Sequence, residues 1–274
     1  MSETQLIISS SWLSGQLDNP QVVIVDCRFQ LAQPEWGYRQ YLINHIRDAF
    51  YLDLEKDLSA PVDRHGGRHP LPETDLLAQK LARMGIIFGE TLVVAYDDSR
   101  FAFAARLWWL LRYLGHERVA LLDGGWKGWL AGAYPVSSMV PDSKPGNFIP
   151  RPRVDWIVDI ETVKAKKDLP SVMLIDSRDS DRYRGEREPI DPIAGHVLGA
   201  VNSPWQAISN EDSFLQPLAI QQQLWENYRQ ADEIIVYCGS GVTACVNLFS
   251  MTLTGIDKAK LYPGGWSDWC SYLT

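Results

Sequence analysis

The chain has 274 residues, a formal net charge of −8 and 46% hydrophobic residues. That length suits two domains of ordinary size, each with its own core. The negative charge argues against nucleic acid and membrane surfaces as partners, because both favour proteins with a basic face. No apolar run is long enough to span a membrane, and the first residues lack the pattern of a secretory signal, so we expect a cytoplasmic protein.

The cysteines and histidines do not form a metal-binding or disulfide pattern. Four cysteines are scattered along the chain without a CxxC motif: Cys27, Cys238, Cys245 and Cys270. Five histidines lack the HExxH motif and other metal-ligand spacings. The sequence therefore implies neither a structural disulfide nor a metal or other cofactor.

The sequence repeats itself once. "VVIVDCR" (22–28) resembles "VMLIDSR" (172–178), and "LDGGWKGW" (122–129) resembles "YPGGWSDW" (262–269). The offset falls from 150 residues in the first pair to 140 in the second, so the first half carries about ten extra residues. We assign them to a loop at 63–72. Two homologous halves are the simplest explanation of this order of motifs.

The repeat and the proline content predict the domain organisation. We expect an N-terminal domain at 1–138, a proline-rich linker at 139–153 and a C-terminal domain at 154–274. Short β-branched runs alternate with helical patterns in both halves. This alternation predicts an α/β fold in which each domain has a mostly parallel sheet with helices on both faces.

The two halves differ where a functional group would be expected. Cys238 follows four β-forming residues, whereas its counterpart in the first half is Asp97. Gly239 and Gly241 follow the cysteine, and Arg182 has no counterpart in the first half. Features shared by both halves are expected to be structural, so these unshared features predict a single active site in the second half.

The residue types at this position are suited to binding and stabilising an anion. A glycine-rich turn that leads into a helix can direct several backbone N–H groups at one point, where they favour negative charge. They would favour the thiolate of Cys238, which is the nucleophilic form, and stabilise a second sulfur bound to it. The alternative is that Cys238 is a small apolar residue at the end of a buried strand.

These motifs resemble the rhodanese superfamily in its tandem two-domain form. The resemblance implies that the first domain, with Asp97 at the cysteine position, is catalytically inactive. It implies that Cys238 carries sulfane sulfur as a persulfide. The loop "CGSGVT" (238–243) resembles that of 3-mercaptopyruvate sulfurtransferases, whereas thiosulfate sulfurtransferases usually carry basic residues where Gly239 and Ser240 stand.

The implied function is sulfur transfer from 3-mercaptopyruvate to cyanide, a thiol or a thioredoxin-like reductant, with thiosulfate as the alternative donor. The resemblance makes Cys238 and Ser240 catalytic. It assigns donor binding to Arg182, Arg187, Gly239, Gly241, Val242 and Thr243. A Ser-His-Asp arrangement would join Ser240 to His69 and Asp53.

The donor preference can also be argued from charge. Thiosulfate is a compact dianion that profits from cationic side chains beside the cysteine, but Gly239 and Ser240 are neutral. We therefore expect 3-mercaptopyruvate to be preferred, with its carboxylate on Arg182.

Two further classes of protein are alternatives to a sulfurtransferase. A cysteine phosphatase needs a longer loop with an arginine six residues after the cysteine, and Ala244 stands there, so this class is excluded. A non-catalytic protein-binding module on the same fold is the third hypothesis, because a fold alone does not fix function.

Overall fold

A computed structural model describes residues 5–273, which form two compact units. Unit 1 comprises the described residues up to Ala60, Pro72–Arg153 and Ser209–Leu215. Unit 2 comprises Pro61–Leu71, Val154–Ile208 and the described residues from Gln216 onwards. No helix within residues 5–273 is long and apolar enough to cross a membrane.

Unit 1 is built on a five-stranded parallel sheet. The whole unit has seven strands within the described residues, five of which form this sheet: β1 (Ile7–Ile8), β2 (Val22–Asp26), β3 (His45–Ile46), β4 (Phe50–Tyr51), β5 (Leu92–Tyr96), β6 (Val119–Leu122) and β7 (Val136–Ser137). Its helices are α1 (Ser10–Ser14), α2 (Trp36–Ile43), α3 (Thr74–Arg83), α4 (Ala104–Tyr113) and α5 (Gly125–Ala131). The sheet order is β1-β6-β5-β2-β4, and β3 pairs separately with β7 in an antiparallel ladder. Consecutive residues of β5 and β6 are buried, as expected of strands that are covered on both faces.

Unit 2 repeats this architecture with four strands. They are β8 (Val172–Asp176), β9 (Val201–Asn202), β10 (Glu233–Tyr237) and β11 (Ala259–Leu261). The helices are α6 (Ile160–Lys166), α7 (Ser180–Tyr183), α8 (Leu218–Trp225), α9 (Ala244–Leu253) and α10 (Gly265–Cys270), with 3-10 turns at Val154–Trp156, Trp205–Ile208 and Glu226–Tyr228. The order β11-β10-β8-β9, parallel throughout, matches β6-β5-β2-β4 of unit 1. The prediction of two α/β domains with parallel sheets is confirmed.

The Asp–Arg pairs shared by both halves join a strand end to the loop that follows it. In unit 2, Arg178 donates from Nη2 to Asp176 at 2.6 Å and to the carbonyl of Gly195 at 2.6 Å. Its guanidinium also lies 5.0 Å from the ring centre of Trp266. The equivalent residues of unit 1 repeat these contacts: Arg28 with Asp26, the Asn44 carbonyl and the Trp126 ring. The structural role predicted for these pairs agrees with these contacts.

The units differ from the contiguous domains predicted from the sequence. The segment 139–153, predicted as a linker, belongs to unit 1. Phe148 is buried there, and the N–H of Arg151 donates to the carbonyl of Leu114 at 2.8 Å. Proline richness predicted an extended chain, but it did not reveal that the chain packs on the first domain.

Most of the residues predicted as an extra loop in the first half belong to unit 2. Within the segment Pro61–Leu71, the N–H of Gly66 donates to Oδ1 of Asp268 at 2.7 Å. Nδ1 of His65 lies 2.7 Å from Oγ of Ser271. The extra residues are therefore an arm that crosses to the unit containing Cys238.

Candidate active site

Cys238 lies at the carboxyl end of β10, where parallel sheets commonly bind ligands. The loop 238–243 connects the strand to α9, and the turn before α10 holds it. Trp266 N donates to the carbonyl of Cys238 at 2.8 Å. Gly265 has a φ of +61°, and a Cβ on it would lie 2.5 Å from the same carbonyl oxygen. The Gly-Gly-Trp turn, interpreted from sequence as a packing feature, therefore also fixes the cysteine backbone.

Two guanidinium groups lie beside Gly239, the residue after the cysteine. A Cβ placed on Gly239 would be 2.9 Å from Nη2 of Arg68 and 3.7 Å from both terminal nitrogens of Arg182. Burial lowers the pKa of Arg68; attraction to Cys238 opposes that shift, and repulsion by Arg182 adds to it. The structure thus brings the predicted Arg182 to the loop, together with Arg68, which the sequence analysis missed.

Two buried carboxylates hold these arginines. Arg182 donates from Nη2 to Glu188 at 2.7 Å and to Asp191 at 3.1 Å, and from Nε to Glu188 at 3.2 Å. Asp191 also pairs with Arg68. The side chains of Glu188 and Asp191 are only 4% and 1% exposed. Both guanidinium groups are therefore oriented by the protein itself.

Ser240 and His69 are in direct contact. Nδ1 of His69 lies 2.7 Å from Oγ of Ser240, and both side chains are buried. Asp53, the third residue of the implied arrangement, belongs to unit 1, where its carboxylate accepts from the N–H groups of Glu55 at 2.9 Å and Lys56 at 3.0 Å. The Ser–His pair agrees with the implied arrangement.

Arg187 occupies a surface ion pair. Its Nε donates to Asp181 at 2.6 Å, its Nη2 donates to Asp179 at 3.4 Å, and its side chain is 51% exposed. The side chains nearest to the missing Cβ of Gly239 are those of Arg68 and Arg182. Arg68 therefore takes the place beside the loop that the resemblance suggested for Arg187.

In unit 1, the backbone N–H groups of the equivalent loop donate to the carboxylate of Asp97. Asp97 is buried, and burial raises its pKa, although hydrogen bonds from the backbone oppose that shift. The donors are the N–H groups of Ser99, Phe101, Phe103 and Ala104, at 2.9–3.0 Å. Arg100 has a φ of +59° where Gly241 has +71°, but Phe101 also has a positive φ of +71°, which its counterpart Val242 does not share. This arrangement agrees with the predicted inactivity of the first domain.

The other three cysteines lie in packed positions. Cys245 is fully buried, and its Sγ donates to the carbonyl of Gly241 at 3.4 Å. Burial raises the pKa of both Cys27 and Cys270. The prediction that Cys245 occupies the core rather than resolving a persulfide agrees with this burial.

Comparison with known proteins identifies the fold. The model of the rhodanese-like domain matches residues 9–132 and 159–272. The chain belongs to the rhodanese family. These two matched ranges correspond to the two halves of the repeat, and the predicted tandem organisation of a rhodanese is confirmed.

The rhodanese relatives are sulfurtransferases by name. A Pseudomonas aeruginosa protein, "Probable 3-mercaptopyruvate sulfurtransferase", is 43% identical over 98% of this chain and 96% of its own length. A Mycobacterium tuberculosis protein provisionally named thiosulfate sulfurtransferase SseB is 34% identical over 97% of this chain and 94% of its own length. The crystal structure of SseA from Escherichia coli, a 3-mercaptopyruvate sulfurtransferase, matches with a TM-score of 0.83 and 28% identity over 96% of this chain and 100% of that one. The predicted assignment to the sulfurtransferase enzymes is confirmed.

Proposed function

We propose that this rhodanese moves sulfane sulfur from 3-mercaptopyruvate to a thiophilic acceptor through a persulfide on Cys238. The observation that carries the proposal is the pair of guanidinium groups, from Arg68 and Arg182, beside the residue that follows the cysteine. A carboxylate fits such a pair because each guanidinium offers parallel N–H donors. The names of the Pseudomonas aeruginosa and Escherichia coli relatives support this donor.

The reaction follows from the groups around Cys238. The Cys238 thiolate attacks the thiol sulfur of the donor, so that a sulfur–sulfur bond forms and the carbon–sulfur bond breaks. The electron pair of the broken bond moves to the carbon and gives the enolate of pyruvate, which takes up a proton. We propose that Ser240, in contact with His69, delivers that proton. The acceptor then attacks the outer sulfur and releases the Cys238 thiolate.

Backbone N–H groups of the loop are proposed to stabilise the charge that develops. In unit 1 the N–H groups of Ser99, Phe101 and Phe103 converge on the Asp97 carboxylate. The residues in register with them in unit 2 are Ser240, Val242 and Ala244. We infer that these N–H groups, with those of Gly239, Gly241 and Thr243, surround the outer sulfur and the enolate oxygen, as in other anion-stabilising loops.

Thiosulfate is the alternative donor, and one observation favours it. In the charge argument from sequence, Arg182 was the one cation expected at the donor, but Arg68 lies beside the loop as well. That expectation was incomplete because this second cation comes from a distant segment rather than from the loop. The provisional name of the Mycobacterium tuberculosis relative agrees with the alternative.

The acceptor and the compartment belong to the same proposal. None of the four cysteines of residues 5–273 forms a disulfide. A thiolate nucleophile persists where thiols stay reduced. We propose a cytoplasmic location and a small thiol or a thioredoxin-like reductant as the acceptor.

Steady-state assays with cyanide as the acceptor test the donor. We expect a higher kcat/KM for 3-mercaptopyruvate than for thiosulfate, and no transfer by Cys238→Ser with either donor. A wild-type preference for thiosulfate would replace the proposed donor by the alternative. A fully active Cys238→Ser protein would remove Cys238 from the reaction.

A further inference from the structure

Six charged side chains form one network beside the cysteine loop. Three are cationic and three are anionic: Arg68, Arg178 and Arg182, with Asp176, Glu188 and Asp191. Glu188 connects the two parts, since its Oε2 accepts from Arg178 and from Arg182, both at 3.2 Å. Five of these side chains are at most 11% exposed, and Arg68 is 28% exposed. Their formal charges cancel before a donor binds.

We propose that Glu188 and Asp191 select donors by charge, so that the site accepts a singly charged donor in preference to a dianion. The inference rests on the proposed function and names what limits its donor. Asp176 already neutralises Arg178 in a pair that unit 1 repeats with Asp26 and Arg28. Glu188 and Asp191 neutralise Arg182 and Arg68, which face the loop, and each carboxylate repels every negative charge that enters.

The comparison of two donors isolates this repulsion. Removing one carboxylate charge removes one charge–charge repulsion for a donor with one negative charge and two such repulsions for a donor with two. The ratio of the two kcat/KM values therefore changes by one interaction, provided that the arginines keep their positions. For charges several Å apart in a partly buried site, we expect a change on the order of 10-fold.

Glutamine and asparagine separate charge from shape at these positions. Oε1 of Glu188 accepts from the N–H groups of Ile190 and Asp191, both at 3.1 Å, and an amide oxygen can still accept there. If Glu188 only orients the arginines, the substitution lowers activity with both donors and does not move the ratio towards thiosulfate. A role in charge selection instead moves the ratio towards thiosulfate. High salt should shrink that shift, because mobile ions screen the repulsion.

The experiment compares Glu188→Gln and Asp191→Asn with a matched control, Glu186→Gln. Glu186 lies in the same segment and pairs with Arg184, but the pair is more than half exposed. In each active-site variant we expect the thiosulfate to 3-mercaptopyruvate ratio of kcat/KM to rise about 10-fold, and to change less than about twofold in the control. An unchanged ratio in both active-site variants would overturn the inference.

A second readout does not depend on the donor. The alkylation rate of Cys238 is measured with anionic iodoacetate and with neutral iodoacetamide, and their ratio reports the local potential. We expect Glu188→Gln and Asp191→Asn to raise the iodoacetate to iodoacetamide ratio, and Glu186→Gln to leave it unchanged. If the wild type takes no sulfur from 3-mercaptopyruvate, the proposed function fails, whereas a raised alkylation ratio still supports charge selection. An unchanged ratio would contradict it.

Discussion

Replacing Arg68 by alanine tests which arginine completes the donor site. Arg68 and Arg182 are the side chains found beside Gly239, whereas Arg187 is 51% exposed and pairs with Asp181. A charge-assisted hydrogen bond contributes about 1.5–3 kcal/mol, and about 1.4 kcal/mol corresponds to tenfold. We therefore expect Arg68→Ala to lower kcat/KM for 3-mercaptopyruvate by roughly 10- to 100-fold, mainly through KM.

Two further variants make this comparison sharper. Arg68→Lys keeps the charge and the pairing with Asp191 but loses the planar fork, so we expect a smaller rise in KM. Arg187→Ala removes an exposed ion pair, and such pairs contribute at most about 1 kcal/mol, so kcat/KM should stay within about twofold. Steady-state kinetics with cyanide as the acceptor provide both constants. A large loss in Arg187→Ala together with little change in Arg68→Ala would refute the reasoning.

Three carboxylates give further predictions. Asp97→Asn turns an N–H₂ group towards two backbone donors, so unfolding should become about 1–3 kcal/mol easier while kcat/KM of the folded enzyme stays within a few-fold. Burial raises the pKa of Asp98 to about 6, so its folded form binds the proton more tightly and loses stability as the pH rises from about 4 through 6. Asp98→Asn should therefore raise the free energy of unfolding by up to about 3 kcal/mol at pH 7.5 and by little near pH 4. Asp268 accepts from Gly66 N and, at 2.6 Å, from the Tyr262 hydroxyl; an alanine can accept neither, so Asp268→Ala should raise KM for the donor several-fold.

Each of these predictions has its own check. Loss of turnover in a well-folded Asp97→Asn protein would contradict the inactive first domain. For Asp98, urea unfolding at both pH values is compared with that of the exposed Asp142→Asn, and a parallel change in the two variants would contradict the pKa argument. For Asp268, the control is the rate at which iodoacetamide alkylates Cys238, because an unchanged rate shows that the cysteine loop is intact. We expect Asp268 to hold the segment that carries Arg68, and a fall in kcat with KM unchanged would contradict that role.

The cysteine and its loop could be predicted from the sequence because their signals are local. A β-forming run, Cys238 and two glycines are consecutive, and the repeat supplies Asp97 as an internal comparison. The parallel sheets follow from the same alternation of strands and helices. These features need no knowledge of which distant segments come together.

Arg68 could not be predicted from local pattern because it reaches the loop from far along the chain. Its segment Pro61–Leu71 belongs to unit 2, although it lies within the first half of the sequence. The available signal was the extra length of the first half, but these residues were assigned to a loop and no contact with the second half was predicted for them. A second signal was the Gly-Gly-Trp turn shared by both halves, in which Asp268 is the sequence counterpart of Gly128. Only Asp268 has a side-chain carboxylate, and this carboxylate accepts from the N–H of Gly66.

The carboxylates show why the donor argument from sequence was incomplete. Charge was counted only at the neutral loop residues Gly239 and Ser240 and at Arg182. Glu188 and Asp191 were part of an arginine-rich stretch whose pairing depends on the fold of the loop after α7. The net charge beside a cysteine is a property of the folded site, and its components lie far apart in the sequence.

The most direct test of the central claim is the mass of the protein after exposure to the donor. The wild type is incubated with 3-mercaptopyruvate without an acceptor, desalted, and measured intact and as peptides. We expect the added mass of one sulfur atom on the peptide that contains Cys238, its loss on addition of cyanide, and no addition in Cys238→Ser. An unmodified Cys238 peptide, or sulfur on Cys27, Cys245 or Cys270 instead, would contradict the account.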